Sequence, residues 1–195
     1  MSFLKPQPSH HIKRFVVIPL IVGVLLFISV WGILWLASVN TYRVSFGVSF
    51  SPGYASYLGL DWKQTYQSIL TDLRPKFIRL AIPWTEVEAK KGTFNFDDAD
   101  YLINEAAKHN VKVTLVLGQK VPRWPECFIP PWAKLEDKED RQAAVLNYVT
   151  QVVNRYKNND ALQFWQVENE AFIGFEFGEC QIFDKWFFCL TCEVL

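Results

Sequence analysis

Apolar and polar positions along the chain fall into two regimes. Phe15 to Ser38 runs without a charged side chain, longer than the roughly 20 residues a helix needs to cross a bilayer core. From residue 44 the pattern alternates between short apolar runs and stretches with apolar residues at helical spacing. "VSFGVSF" (44–50) is β-branched and aromatic and is broken by Ser51-Pro52-Gly53, which predicts a strand and a turn. In "DWKQTYQSILTDL", Trp62, Tyr66, Ile69, Leu70 and Leu73 share one helical face, and Pro75 ends the helix. "KFIRLAI" (76–82) predicts a second strand. "DDADYLINEAAKHN" then predicts a helix with Asp97 near its start and Asn110 at its end.

"VKVTLVL" (111–117) is almost wholly apolar, as suits a parallel strand covered on both faces. A proline- and tryptophan-rich loop follows, then "KEDRQAAVLNYVTQVVNRYKN", a helix whose acidic start and basic end suit its dipole. "ALQFWQV" (161–167) reads as the fourth strand. Strands beginning near 44, 76, 111 and 161, with helices between them, form a βα repeat and hence a parallel sheet. Two architectures compete, an open doubly wound sheet and a closed eight-stranded barrel. "GVSFSPG" lacks the glycine spacing of a dinucleotide fingerprint and no phosphate loop occurs, which disfavours the first.

Composition narrows the picture. The 195 residues carry 20 basic and 20 acidic side chains, so nucleic acid is not an expected partner. Aromatic residues make up 16% of the chain, through a large core or through flat platforms for sugar rings. Lys5, Lys13 and Arg14 precede the apolar run and only Arg43 follows it closely. Positive-inside bias therefore predicts a single-pass anchor, with a cytoplasmic stub (1–14), a transmembrane helix (15–38) and a domain on the extracytoplasmic side (39–195). A cleaved signal peptide is the rival reading. Outside the cytoplasm Cys127 and Cys180 are a candidate disulfide. Cys189 and Cys192 have CxxC spacing but no second pair or neighbouring His, and no His or Asp cluster has metal-ligand spacing. No metal or other cofactor is expected.

Ligands of parallel α/β folds meet the carboxyl ends of the strands. Those ends here carry Ser49 and Phe50, then Arg79, Pro83 and Trp84, then Gln119, Arg123 and Trp124, and finally Glu168, Asn169 and Glu170. Each has an ordinary structural explanation; together they have the composition of a carbohydrate cleft, with Trp faces for sugar rings and Arg, Asn and Glu for hydroxyls.

The ordered series Arg79, Trp84, Glu88, Gly92, Phe94, Phe96, Asp100, Pro122 and Trp124, followed by Asn169-Glu170, resembles the clan A glycoside hydrolases, the cellulase- and β-galactosidase-like (β/α)8 barrels. The resemblance implies a partial TIM barrel of about four βα units behind one transmembrane helix, hydrolysing β-linked saccharides with retention. It implies Glu170 as general acid/base, in an apolar setting supplied by Phe164 and Trp165. It further implies Asn169, Arg79, Trp84 and Trp124 as saccharide-binding residues. Strand alternation would put Glu168 and Glu170 on one side, so the choice of Glu170 follows the family order. That clan places its nucleophile, a second Glu, at the end of the seventh strand. Eight βα units take about 250 residues, so this chain is expected to be a catalytically incomplete, truncated product without a nucleophile of its own. The alternative is a membrane-anchored carbohydrate-binding or scaffolding module without catalysis.

Overall fold

A computed structural model describes residues 10–39, 44–123, 126–171, 189 and 192, in two compact units that divide after Val44. The first contains helix α1 (His10–Ser38) with Pro19 inside it. Its segment Phe15–Ser38 has a mean hydropathy of 2.7 and none of it is buried. Such a helix is long and apolar enough to cross a membrane, and an N-terminal signal sequence has the same properties.

The second unit is built on four parallel strands, β1 (Gly47–Phe50), β2 (Phe77–Ala81), β3 (Lys112–Leu117) and β4 (Leu162–Val167), in the spatial order β1-β2-β3-β4. Between them lie helices α2 (Pro52–Tyr57), α3 (Trp62–Ser68), α4 (Trp84–Val87), α5 (Asp97–Lys108) and α6 (Lys138–Tyr156). Consecutive order decides between the two architectures. A doubly wound sheet reverses direction at a switch point, whereas right-handed crossovers in unbroken order lay every helix on the same face. One apolar cluster accordingly joins Ile78, Leu80, Val113, Leu115 and Leu117 to Tyr66, Leu70, Leu102, Ile103, Tyr148, Val149 and Val152 from the helices.

Register places Ser49, Arg79, Thr114 and Phe164 side by side on the opposite, inner face, with Gln166 beside Val116. Among the described residues, this face carries a small apolar cluster of Ala81, Val116, Val121 and Phe128. Phe77 and Phe164 lie on it with 37% and 59% of their surface exposed.

Local signals explain the elements. Asp61 caps α3, accepting from the backbone N–H of Lys63 and Gln64 at 2.9 and 3.1 Å, and Asp137 caps α6 through the N–H of Asp140. The end of α5 is a Schellman motif: Asn110 is left-handed (φ +56°), its N–H reaches Ala107 O, and the N–H of buried Val111 reaches Ala106 O. Two expectations shift. The first strand starts at Gly47 rather than Val44, because its partner β2 begins only after Pro75 and Gly47 pairs with Phe77. The helix expected up to Leu73 widens into a π-helical turn at Ile69–Leu73, ended by left-handed Arg74.

Candidate functional site

The polar residues of the strand ends meet around Arg79. From the inner face of β2 its guanidinium donates to Gln166 Oε1 of β4 and to Asn169 Oδ1, both at 2.9 Å. Burial and the neighbouring charge of Arg123 lower its proton affinity, and Glu170 opposes them. Arg79 also lines a cavity of about 10 Å³ with Ser49, Phe50, Ser51, Ala81, Pro122 and Arg123, so the first three strand ends converge as the sequence predicts. With Asn169 Oδ1 occupied by Arg79, the amide nitrogen of Asn169 is left as a donor.

Where β4 ends, the backbone turns sharply. Glu168 and Glu170 both take left-handed φ, +58° and +54°. This breaks the alternation that would have put them on one side, and it corrects that expectation. The Glu168 side chain turns inward and is 2% exposed. Its Oε1 accepts from the N–H of Gln119 at 2.9 Å and its Oε2 from the N–H of Lys120 at 2.6 Å. The Glu170 side chain is 43% exposed, with its Oε2 at 3.7 Å from the ammonium of Lys120. The same ammonium lies 3.8 Å from Glu126 Oε2.

An apolar setting was expected to raise a carboxyl at this site. The carboxyl that burial raises, to about 7, is Glu168; its backbone hydrogen bonds and Lys120 pull the other way. Phe164 is an exposed inner-face side chain, and Trp165 packs against the helix-side core.

Trp84 needs a further correction, because it offers no face to a sugar. It is fully buried, stacked on Tyr148 at 6.0 Å and edge-on to Trp132 at 5.5 Å. Its indole N–H donates to Glu88 Oε2 at 2.8 Å, one helical turn on. Glu88 Oε1 accepts from the N–H of Gly92 at 2.8 Å and Glu88 O accepts from Trp132 Nε1 at 2.9 Å. The Trp84, Glu88 and Gly92 part of the motif series is therefore an internal staple for the loop after β2. Asp100 is likewise structural, bonded to Arg155 and Tyr156 of α6. Trp124 lies outside the described residues. Cys127 is disulfide-bonded and Cys189 and Cys192 are free; Cys180, the expected partner of Cys127, lies outside the described residues.

Three residues at this site went unassigned in the sequence: Gln166, Glu168 and Lys120. Gln166 lies on β4 two residues after Phe164, so strand alternation puts it on the inner face with Arg79. Lys120 carries no comparable signal, since only the fold of the loop after β3 brings it to Glu170. Among the described residues no group of three or more His, Cys, Asp or Glu could hold a metal ion.

The Claviceps purpurea protein endo-1,4-beta-xylanase 2 is 34% identical over 86 residues, 44% of this chain and 24% of its own length. The Hypocrea jecorina protein endo-1,4-beta-xylanase 3 is 27% identical over 95 residues, 47% of this chain and 25% of its own length. The chain thus spans about a quarter of the length of these relatives. The crystal structure of GH5_18 from Bifidobacterium longum subsp. longum superposes with a TM-score of 0.53 at 17% identity, covering 66% of this chain and 34% of that one, which shows a shared fold. The profile of the family described as "Glycosyl hydrolase family 10" matches residues 78–180, from β2 to beyond the end of β4. The resemblance to clan A glycosidases thus holds, and the chain belongs to glycosyl hydrolase family 10.

Proposed function

We propose that this chain supplies the acid/base half of a retaining glycosidase site for β-linked polysaccharides of the xylan type, anchored to a membrane through residues 15–38. The observation that carries the reading is the Arg79 guanidinium, which ties Gln166 of β4 to Asn169 directly beside Glu170. Glu170 in this reading protonates the glycosidic oxygen and then activates water, while Asn169 donates to a sugar hydroxyl. The half-exposed Glu170 and the hydroxyls of Ser49 and Ser51 border the same strand ends and suit a ligand rich in hydroxyls. In this reading the domain lies on the extracytoplasmic side, in keeping with the basic residues that precede α1.

Retention requires a second carboxylate roughly 5–5.5 Å from the first. Of the described carboxylates nearest Glu170, Glu168 is committed to backbone N–H groups and Glu126 shares the Lys120 ammonium with Glu170. The nucleophile is therefore proposed to lie outside the described residues. One observation favours the non-catalytic module instead: the carboxylate of Glu170 stands in an ion pair with Lys120.

The test uses the full chain in detergent micelles, with xylohexaose binding measured calorimetrically and aryl β-xyloside turnover measured in parallel. Binding is expected, and turnover reports whether the residues outside the described ones supply the nucleophile. Glu170→Gln should hold affinity within about threefold, whereas Arg79→Ala, which unties Gln166 and Asn169, should weaken it by about tenfold, the scale of one charged hydrogen bond. No measurable binding by the wild type, or equal affinity for Arg79→Ala, would remove the assignment. Turnover by the wild type would place the nucleophile among the residues of this chain outside the described ones.

A further inference from the structure

Glu168 is a buried carboxyl that the proposed reaction does not use. It closes a ring of hydrogen bonds around the site. Its two oxygens hold the N–H groups of Gln119 and Lys120, and its own N–H reaches Leu117 O at 2.7 Å. Its carbonyl accepts from Gln166 Nε2 at 2.9 Å, and Gln166 accepts from Arg79, which also holds Asn169. The ring closes where the N–H of Asn169 reaches Lys120 O at 2.7 Å. Asn169, which precedes Glu170, and Lys120, which pairs with it, are thereby both tied to one carboxylate. Gly118 leaves the space for it: a Cβ there would fall within the carboxyl group, 2.6 Å from Oε2.

We propose that Glu168 is a positioning residue and a proton-operated latch for the saccharide site, a role that rests on the reading above. Ionised, it accepts from both backbone N–H groups and holds Lys120, Asn169 and Glu170 in register. Protonated, one oxygen carries a hydrogen that faces an N–H donor, so half of the clamp opens. The groups facing it are Lys120, from the loop after β3, and Tyr148, from α6, whose hydroxyl is itself held protonated by burial and by the Glu168 charge. Burial outweighs the pull of Lys120 and places the transition at about 7. The latch is closed above that pH and opens below it.

The experiment follows the Glu168 carboxyl carbon and the Gln119 and Lys120 amides by NMR on the labelled full chain in micelles, from about pH 5.5 to 8.5, a window spanning the shifted carboxyl. All three signals should share one inflection near neutrality, absent from the amides of Glu168→Gln. Xylohexaose affinity should fall about tenfold from the alkaline to the acid side, as one lost charged hydrogen bond implies, and should be flat in Glu168→Gln. Amides that do not follow the carboxyl, or a pH step in affinity that survives Glu168→Gln, would overturn the latch. Should the variant fail to fold, the wild-type titration decides alone. An intact amide inflection with no xylohexaose binding at any pH supports the latch and removes the saccharide reading instead.

Discussion

Trp84→Ala should cost the domain about 3–5 kcal/mol, the range for deleting a buried aromatic side chain. The ring is fully buried between Tyr148 and Trp132, so its removal leaves a cavity bordered by two large aromatic groups that cannot collapse into it without leaving their own partners. It also strips Glu88 Oε2 of its indole donor, leaving a carboxylate that is 2% exposed with one oxygen unmatched. Domains of ordinary size are stable by about 5–15 kcal/mol, so the loss is a large share of the total. Urea unfolding followed by near-ultraviolet circular dichroism measures it. A cost below about 1 kcal/mol would mean that Trp84 is not packed as described, and would reopen its candidacy as a sugar platform.

The second large effect is expected at Gly118, whose φ of +129° is one that side chains rarely adopt and whose missing Cβ is the space filled by the Glu168 carboxyl. Alanine there combines backbone strain of about 1–3 kcal/mol with loss of acceptors for the Gln119 and Lys120 N–H groups, about 1–3 kcal/mol more. A double-mutant cycle separates the two contributions. Glu168→Ala empties the space that the new methyl group invades, so Gly118→Ala should cost less in the Glu168→Ala background by about 1 kcal/mol or more, the scale of coupling between residues in contact. Additivity within about 0.5 kcal/mol would show that the two groups do not meet.

The sequence exposed the scaffold well, because its signals are local and repeated. Four apolar runs separated by helical stretches, Asp97 near a helix start and Asn110 at a helix end each encode one backbone decision, and the structure shows all of them. The Arg79, Asn169 and Glu170 grouping was also legible, since parallel strand ends must converge. Trp84 was misread because a tryptophan just past a strand looks the same whether it faces a ligand or a core. The distinguishing signal was Glu88, four residues on, placed to accept the indole N–H across one helical turn. Glu168 was beyond pattern reading: its inward turn depends on a left-handed backbone that no glycine or asparagine announces, and on an opening made by Gly118 in a different strand–loop unit.

The two left-handed glutamates have a consequence for selection. A non-glycine residue in that region costs about 1–2 kcal/mol, and the Glu170 ion pair with Lys120 is half-exposed, a contact worth little. In a saturation library at position 170 sorted for cellular abundance alone, glycine and asparagine should therefore outcompete the native codon, with valine and isoleucine falling lowest. Sorting the same library for capture on immobilised xylan should reverse the order in favour of glutamate and glutamine.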